Sequence, residues 1–262
     1  MKDRIPFLFL FFFLISTVPF DQGCKTDDSS PAGPTGGWPI PEAGLVAYFP
    51  FGGNANDSSG NGHNGTPENN PALSTDRFGT PSSAYQFDGI NQCIHLPSSI
   101  RIMADLSISF WVQTTMVDMH SWPNARFIID RDICAGARDW SVGLGQGGRV
   151  QFETGTGGSE GDKILTSFRD VNDSTWHHVV IVRDSSSQMK RIHIDGRLDT
   201  TTTFDGQQFL NNNDPICIGA TNCQPWLHSY FPGTIDDVRI YGRALSSEEV
   251  QQLYHEGGWA AP

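Results

Sequence analysis

The chain has 262 residues, enough for one large β domain or two small ones, and 37% of them are apolar, with 17 Phe and 7 Trp to fill a core. A net charge of −12 with no Lys/Arg cluster excludes a nucleic-acid binder, whose phosphates require a basic patch. Frequent Gly (28) and Pro (16), with few helix-forming runs, favour many short strands joined by turns.

Lys2 and Arg4 precede an apolar run from Ile5 to Phe20. Its shortness and basic start read as a signal peptide over residues 1–23, not a membrane-spanning helix. The run ends at Asp21-Gln22-Gly23-Cys24, which resembles a bacterial lipoprotein cleavage site with Cys24 taking the lipid. Such sites usually carry Leu where this chain has Asp21. Looser versions occur in Bacteroidetes-like lipoproteins, whose acidic residues after the Cys resemble a surface-export signal, and Lys25-Thr26-Asp27-Asp28 fits that pattern. The resemblance implies export and a lipid anchor in the outer membrane or at the cell surface. The alternative is a secreted protein cut nearby. Residues 24–43 read as a flexible tether, because Ser29 to Gly37 has nothing to bury.

An ordered domain is expected over 44–256, with 257–262 as a tail. Leu45-Val46-Ala47-Tyr48-Phe49 is a strand, followed by an Asn- and Gly-rich polar loop from Gly52 to Asn70. Ala84 to Phe87 and Cys93 to Leu96 flank Asp88-Gly89, a hairpin signal. In Leu106 to Val112, the apolar Leu106, Ile108, Phe110 and Val112 recur at period two on one face. Short strands follow at 126–130, 140–144, 149–153, 176–183 and 190–194. The turn Asp195-Gly196 leads into 197–204, and 216–218 and 234–241 complete the set. Turn signals about every ten residues suit a sandwich or jelly roll. One helix is predicted after Ser246-Ser247-Glu248-Glu249, a capping box, with Val250, Leu253 and Tyr254 as its stripe and Gly257 as its stop.

With Cys24 set aside, Cys93, Cys134, Cys217 and Cys223 are an even set that can form two disulfides outside the cytoplasm. Cys134 and Cys223 lie in loops and are expected to pair, leaving Cys93 with Cys217. Cys217–Cys223 competes because it closes a short loop. No Cys-x-x-Cys or His/Cys spacing suggests zinc.

In order, the pieces Gly44 to Phe51, Asn56 to Gly62, Phe87-Asp88-Gly89, Ser107 to Val112, Trp176-His177-His178-Val179, Ile194-Asp195-Gly196, Gly233 to Tyr241 and Arg243-Ala244-Leu245-Ser246 resemble the LamG-like jelly roll of the concanavalin A-like lectin/glucanase superfamily. The resemblance covers about Gly44 to Tyr254. It implies an all-β fold, a two-sheet antiparallel jelly-roll sandwich with a short C-terminal helix. It also implies that the first and last strands are neighbours. The loop 54–64 and the strand 235–238 then come within reach of one structural calcium ion, Ca2+, which wants six to eight oxygens. Asp57 and Asp236 are the expected side-chain ligands, with carbonyls around Asn61 and His63. Alternation puts Asp236 and Asp237 on opposite faces, so only one should serve. The alternative is an Asx-turn at Asp57 and an Asp236 that hydrogen-bonds a neighbouring loop.

Sugars stack on exposed aromatics and hydrogen-bond amides and carboxylates. Loop residues Trp122, Trp226, His228 and Tyr230 are the aromatic candidates, with Arg131, Asp132 and Asn222 as polar partners. Trp140 is expected to pack inward, and Trp111 and Trp176 to lie in the core. The Glu-x-Asp-x-x-Glu strand motif of the superfamily's hydrolases is missing: Glu160-Gly161-Asp162 begins like it, but position 165 is Leu165. His177-His178 reads as a strand opening. The expectation is a non-catalytic carbohydrate-binding module with a glycan or polysaccharide partner. A protein-binding or adhesion module is the alternative, and a diverged glycanase comes third.

Overall fold

A computed structural model describes residues 38–117, 125–131, 137–156, 164–204, 210, 214–221 and 229–260. The expected signal peptide, Cys24 and most of the tether lie outside the described residues, as do Trp122, Asp132, Cys134, Asn222, Cys223, Trp226 and His228. Both disulfides that involve Cys223 therefore lie outside them too. Among the described residues, no helix is long and apolar enough to cross a membrane.

The strands are β1 (Leu45–Phe49), β2 (Thr66–Glu68), β3 (Ala72–Ser74), β4 (Ala84–Asp88), β5 (Cys93–Leu96), β6 (Leu106–Gln113), β7 (Arg126–Asp130) and β8 (Ala137–Gly145). They continue with β9 (Arg149–Thr156), β10 (Leu165–Asp170), β11 (His177–Asp184), β12 (Met189–Ile194), β13 (Arg197–Thr203), β14 (Ile216–Ile218) and β15 (Pro232–Tyr241), before the helix α1 (Ser247–Tyr254). The first sheet runs β13-β12-β11-β6-β15-β4-β3, with β1 also on β15, and the second runs β10-β9-β8-β7-β14-β5-β2. Every strand pairing among the described residues is antiparallel. The chain is therefore the expected two-sheet antiparallel sandwich.

Period two explains the core. Leu106, Ile108, Phe110 and Val112 of β6, Val179 and Ile181 of β11, and Ile235, Val238 and Ile240 of β15 meet Ile94, Leu96, Trp140, Val142 and Phe152 of the second sheet. Trp140 is fully buried there, as its strand position predicts. The outer face of the first sheet is also covered. Val250 and Leu253 of α1 pack on Val180, Val182 and Tyr241, and the Ser107 hydroxyl receives the Leu245 N–H at 3.0 Å. The capping box forms: Glu249 N–H donates to Ser246 Oγ at 3.2 Å, and Ser246 N–H to Glu249 Oε2 at 2.8 Å. Ser246→Ala should cost about 1 kcal/mol, seen as a midpoint lower by roughly 2–4 °C in a thermal melt.

Two Asp-Gly pairs behave differently. Asp195 (φ 51°) and Gly196 (φ 73°) close the β12–β13 hairpin, both in the left-handed region that a tight turn of this kind needs. Asp88-Gly89 does not close the expected hairpin, because β4 and β5 belong to different sheets. The Asp88 carboxylate accepts the Ile90 N–H at 2.8 Å, and the Asp88 N–H donates to Gln92 Oε1 at 2.9 Å, so the chain turns a corner between layers. Gly89 is needed there because a Cβ would lie 2.8 Å from Pro232.

Both ends of the domain extend beyond their expected bounds. The Trp38 ring stacks on His255 at 5.0 Å, and Pro41 O accepts the Tyr241 hydroxyl at 3.0 Å, so residues 38–43 are docked rather than tethering. Trp259, expected in a tail, packs edge-on against Trp111 at 5.0 Å and Phe78 at 5.9 Å.

Candidate binding sites

The seam between β1 and β15 holds the residues expected to ligate calcium. Asp57 Oδ1 accepts the N–H groups of Tyr48 (3.0 Å) and Ser59 (2.9 Å), and Oδ2 accepts the Ser59 hydroxyl (2.9 Å) and the His63 N–H (2.9 Å). Burial opposes ionisation of this carboxylate, but the three backbone donors outweigh it and hold its pKa below the usual range. Asn61 Nδ2 donates to the carbonyls of Leu45 (3.2 Å) and Val46 (2.9 Å), and His63 Nδ1 meets Ser99 Oγ at 3.2 Å. A cation needs oxygens, and Asp57 is ringed by hydrogen-bond donors instead. This is the Asx-turn arrangement.

Asp236, on β15, takes part in a different set of contacts. The left-handed φ of Asp237 (48°) accompanies a register shift in β15 between Asp236 and Arg239, which is a β-bulge. Strict alternation therefore fails, and both carboxylates meet one guanidinium. Arg77 Nη1 lies 3.1 Å from Asp236 Oδ2 and also pairs with Asp237 Oδ2. Glu256 bridges to Arg239 at 2.7 Å, and Tyr48 Oη donates to Asp237 Oδ1 at 2.7 Å. Arg77 is sandwiched between Phe78 and Trp111, 4.4 and 4.6 Å from their ring centroids. The described residues thus form a buried ion cluster here, and Asp57, Asn61, His63 and Asp236 do not fit a single calcium cage.

At the other end of β15, the same sheet presents a polar cleft of about 500 Å³. Gln86, Asp88, Gln113, Thr115, Ser174 and Thr234 line it. Its floor follows from register: Thr234 is paired with Gln86 on β4 and with Gln113 on β6, so the three side chains form one row on one face. Gln113 Nε2 donates to Ser174 O at 2.9 Å, which fixes that amide. Trp176 precedes His177, whose partner is Val112, and so falls beside Gln113; it is half-buried rather than in the core. Sequence reasoning missed this cleft, because neither Gln nor Thr at a strand end carries a local signal.

His178 is fully buried, accepts or donates at Ser109 Oγ (2.8 Å) and is held neutral, first by burial and then by Arg77. His177 Nδ1 meets Asp195 Oδ2 at 3.0 Å.

The second sheet carries a third arrangement on its outer face. Cys217 is paired with His95, and Cys93 with Glu68, so four side chains from β2, β5 and β14 point the same way. His95 Nε2 lies 3.3 Å from Cys93 Sγ and 2.6 Å from Glu68 Oε2. Cys93 and Cys217 are neighbours, as expected, but stand as two thiols. A hydrogen bond from Cys217, with His95 adding to it, draws the Cys93 thiol down to about 6 against burial. The bond with Cys93 carries His95 up to about 9. Tyr230 packs against this cluster. Arg131, expected as a sugar partner, is instead fully buried: its Nε donates to Asp214 O (3.1 Å) and its Nη1 to Ile100 O (2.9 Å), tying loops to the sheet. The carboxylates on this face differ in exposure, and Glu68 is open to solvent. Asp130 is fully buried beside Thr221 Oγ1 at 3.0 Å, and Glu153 lies a strand away, across Ser141.

The model of Laminin_G_3, within the concanavalin A-like lectin/glucanases superfamily, matches residues 88–251. The chain belongs to this family. Its fold is similar to domain 4 of AbnA, a GH43 extracellular arabinanase from Geobacillus stearothermophilus solved with arabinotriose: 22% identity, TM-score 0.60, covering 80% of this chain and 98% of that one. The binding domain of Paraclostridial Mosquitocidal Protein 1 is similar at 18% identity and TM-score 0.63, covering 82% of this chain and 52% of that one. The structure reporting that cell entry of botulinum neurotoxin type C depends on two ganglioside molecules is similar at 14% identity and TM-score 0.62, covering 82% and 51%. This Laminin_G_3 domain thus spans about half the length of the toxin chains. At these identities the likeness is one of fold. No curated protein sequence matches the chain.

Proposed function

We propose that this domain is a non-catalytic carbohydrate-binding module whose sugar site is the cleft between β4, β6 and β15. The observation that carries the reading is the row Gln86–Thr234–Gln113. Two amides and a hydroxyl on rigid strands, with Asp88, Thr115 and Ser174 at the rim, suit the alternating donors and acceptors of a sugar ring. The fold-level likeness to an arabinotriose-bound domain and to a ganglioside-dependent toxin supports the ligand class. Passive binding fits a cleft lined by a single carboxylate, Asp88, since glycoside hydrolysis needs two carboxyl groups flanking the bond.

The test is retention on immobilised polysaccharides, arabinan among them. Gln86→Ala with Gln113→Ala should weaken retention roughly tenfold or more, at about 1 kcal/mol per lost hydrogen bond, while the melt moves little. Unchanged retention removes the cleft from the site. A wild-type chain that binds no glycan but captures a protein ligand favours the adhesion reading. New reducing ends appearing in the polysaccharide favour the glycanase.

A further inference from the structure

The geometry points to a zinc site on the outer face of the second sheet, formed by Cys93, His95 and Cys217 with Glu68 at the fourth position. It is independent of the sugar cleft and of the β1–β15 seam. The sheet register creates it. Cys93 and His95 are two apart on β5 and so share a face, Cys217 stands directly across from His95, and Glu68 directly across from Cys93. Donors from three adjacent strands therefore meet at the corners of a small quadrilateral on a rigid support.

The spacing suits one ion. The ligand atoms of Cys93, His95 and Cys217 all lie within 4.8 Å of one another. Cys93 Sγ is 3.3 Å from His95 Nε2 and 3.5 Å from Glu68 Oε2. Tetrahedral zinc with bonds of about 2.0–2.3 Å separates its ligand atoms by roughly 3.3–3.8 Å. The 2.6 Å contact between His95 and Glu68 must open by a few tenths of an ångström or more, and both are surface side chains, 39% and 55% exposed, free to make that shift. The sulfurs lie inward, Cys93 4% and Cys217 1% exposed, while nitrogen and carboxylate lie outward, so an ion reaches the site from solvent. Ala220 and Tyr230 wall it with apolar surface. Two thiolates and an imidazole select a soft or borderline cation over calcium or magnesium. Zinc takes thiolates and an imidazole with a free Nε2, so any proton on Cys93, Cys217 or His95 Nε2 passes to solvent on uptake.

The test uses the full chain with Cys24, Cys134 and Cys223 replaced by Ser, purified under reductant, with Co2+ as the probe and Zn2+ as competitor. One equivalent of Co2+ should bind with the visible bands of a tetrahedral thiolate complex, and Zn2+ should displace it. Cys93→Ser, Cys217→Ser and His95→Ala should each weaken binding about a hundredfold or more, and Glu68→Gln about tenfold. His95→Ala changes an exposed side chain and keeps the test readable if a buried cysteine variant misfolds. Reduced protein that takes up no Co2+ overturns the assignment. So does wild-type protein, prepared without reductant, whose peptide map returns Cys93 and Cys217 joined as a disulfide that Zn2+ present throughout preparation does not prevent.

Discussion

Arg77→Ala is expected to lower stability by about 3–5 kcal/mol, a fall of roughly 10 °C or more in melting midpoint. The Arg77 side chain is 2% exposed and is the shared partner of Asp236 and Asp237, with Glu256 Oε2 3.8 Å away. Its removal leaves two carboxylates with little access to water and a gap between Phe78 and Trp111. The cost lies in buried carboxyl groups left without their cation, not in the net strength of the ion pairs. Adding Asp236→Asn and Asp237→Asn to Arg77→Ala should therefore recover part of the loss. Arg77→Lys should fall between, because an ammonium keeps the charge but loses the flat fork that reaches two carboxylates and stacks on rings. A loss under about 1 kcal/mol for Arg77→Ala would show that water reaches the cluster.

The same cluster should make the fold less stable in alkali. Two guanidinium groups, Arg77 and Arg239, face three carboxylates, Asp236, Asp237 and Glu256. Tyr48 and the neutral His178 border them without adding charge. Burial, reinforced by Asp237 and only partly offset by Arg77, pushes the Asp236 carboxyl up to about 8. The folded value is then above the unfolded one. Its contribution is complete below about pH 4 and is lost as pH rises through 8. Melting temperature should fall as pH rises from 5 to 9. Asp236→Asn, which cannot ionise, should flatten that slope while His95 and other groups keep theirs. An unchanged slope in Asp236→Asn would place the ionised form of Asp236 in the fold throughout this range.

Local features were readable. The alternation of β6, the Asp195-Gly196 hairpin and the capping box of α1 depend on neighbours in sequence, and each takes the structure its residues specify. Features decided by distant chain were not. Trp111 lies under Trp259 and Arg77 on the outer face of its sheet, and nothing near position 111 announces that cover. The bulge at Asp237 reverses an alternation argument, although two successive Asp residues in a strand, tolerant of positive φ, were a faint signal. β2 and β3 have three residues each, and the last three residues of β10 are exposed, so none carries a sustained hydrophobic period. Of the candidate sites, Asp57's turn was foreseen as an alternative, but the Gln86–Thr234–Gln113 row required sheet register. Cys93-Ile94-His95 did hold a signal, since Cys and His two apart share a face on a strand. The missing partner, Cys217, is supplied only by the pairing of β14 with β5.

The stacking of Trp38 on His255 has a mechanical consequence. The polypeptide arrives at and departs from the sandwich at one spot, on the antiparallel seam of its first and last strands. Such a module can be spliced into a larger architecture without stretching its host. Tension on the two ends of the described domain would load that ring pair and then the β1–β15 seam, whose Ala47 and Phe49 belong to the hydrophobic interior.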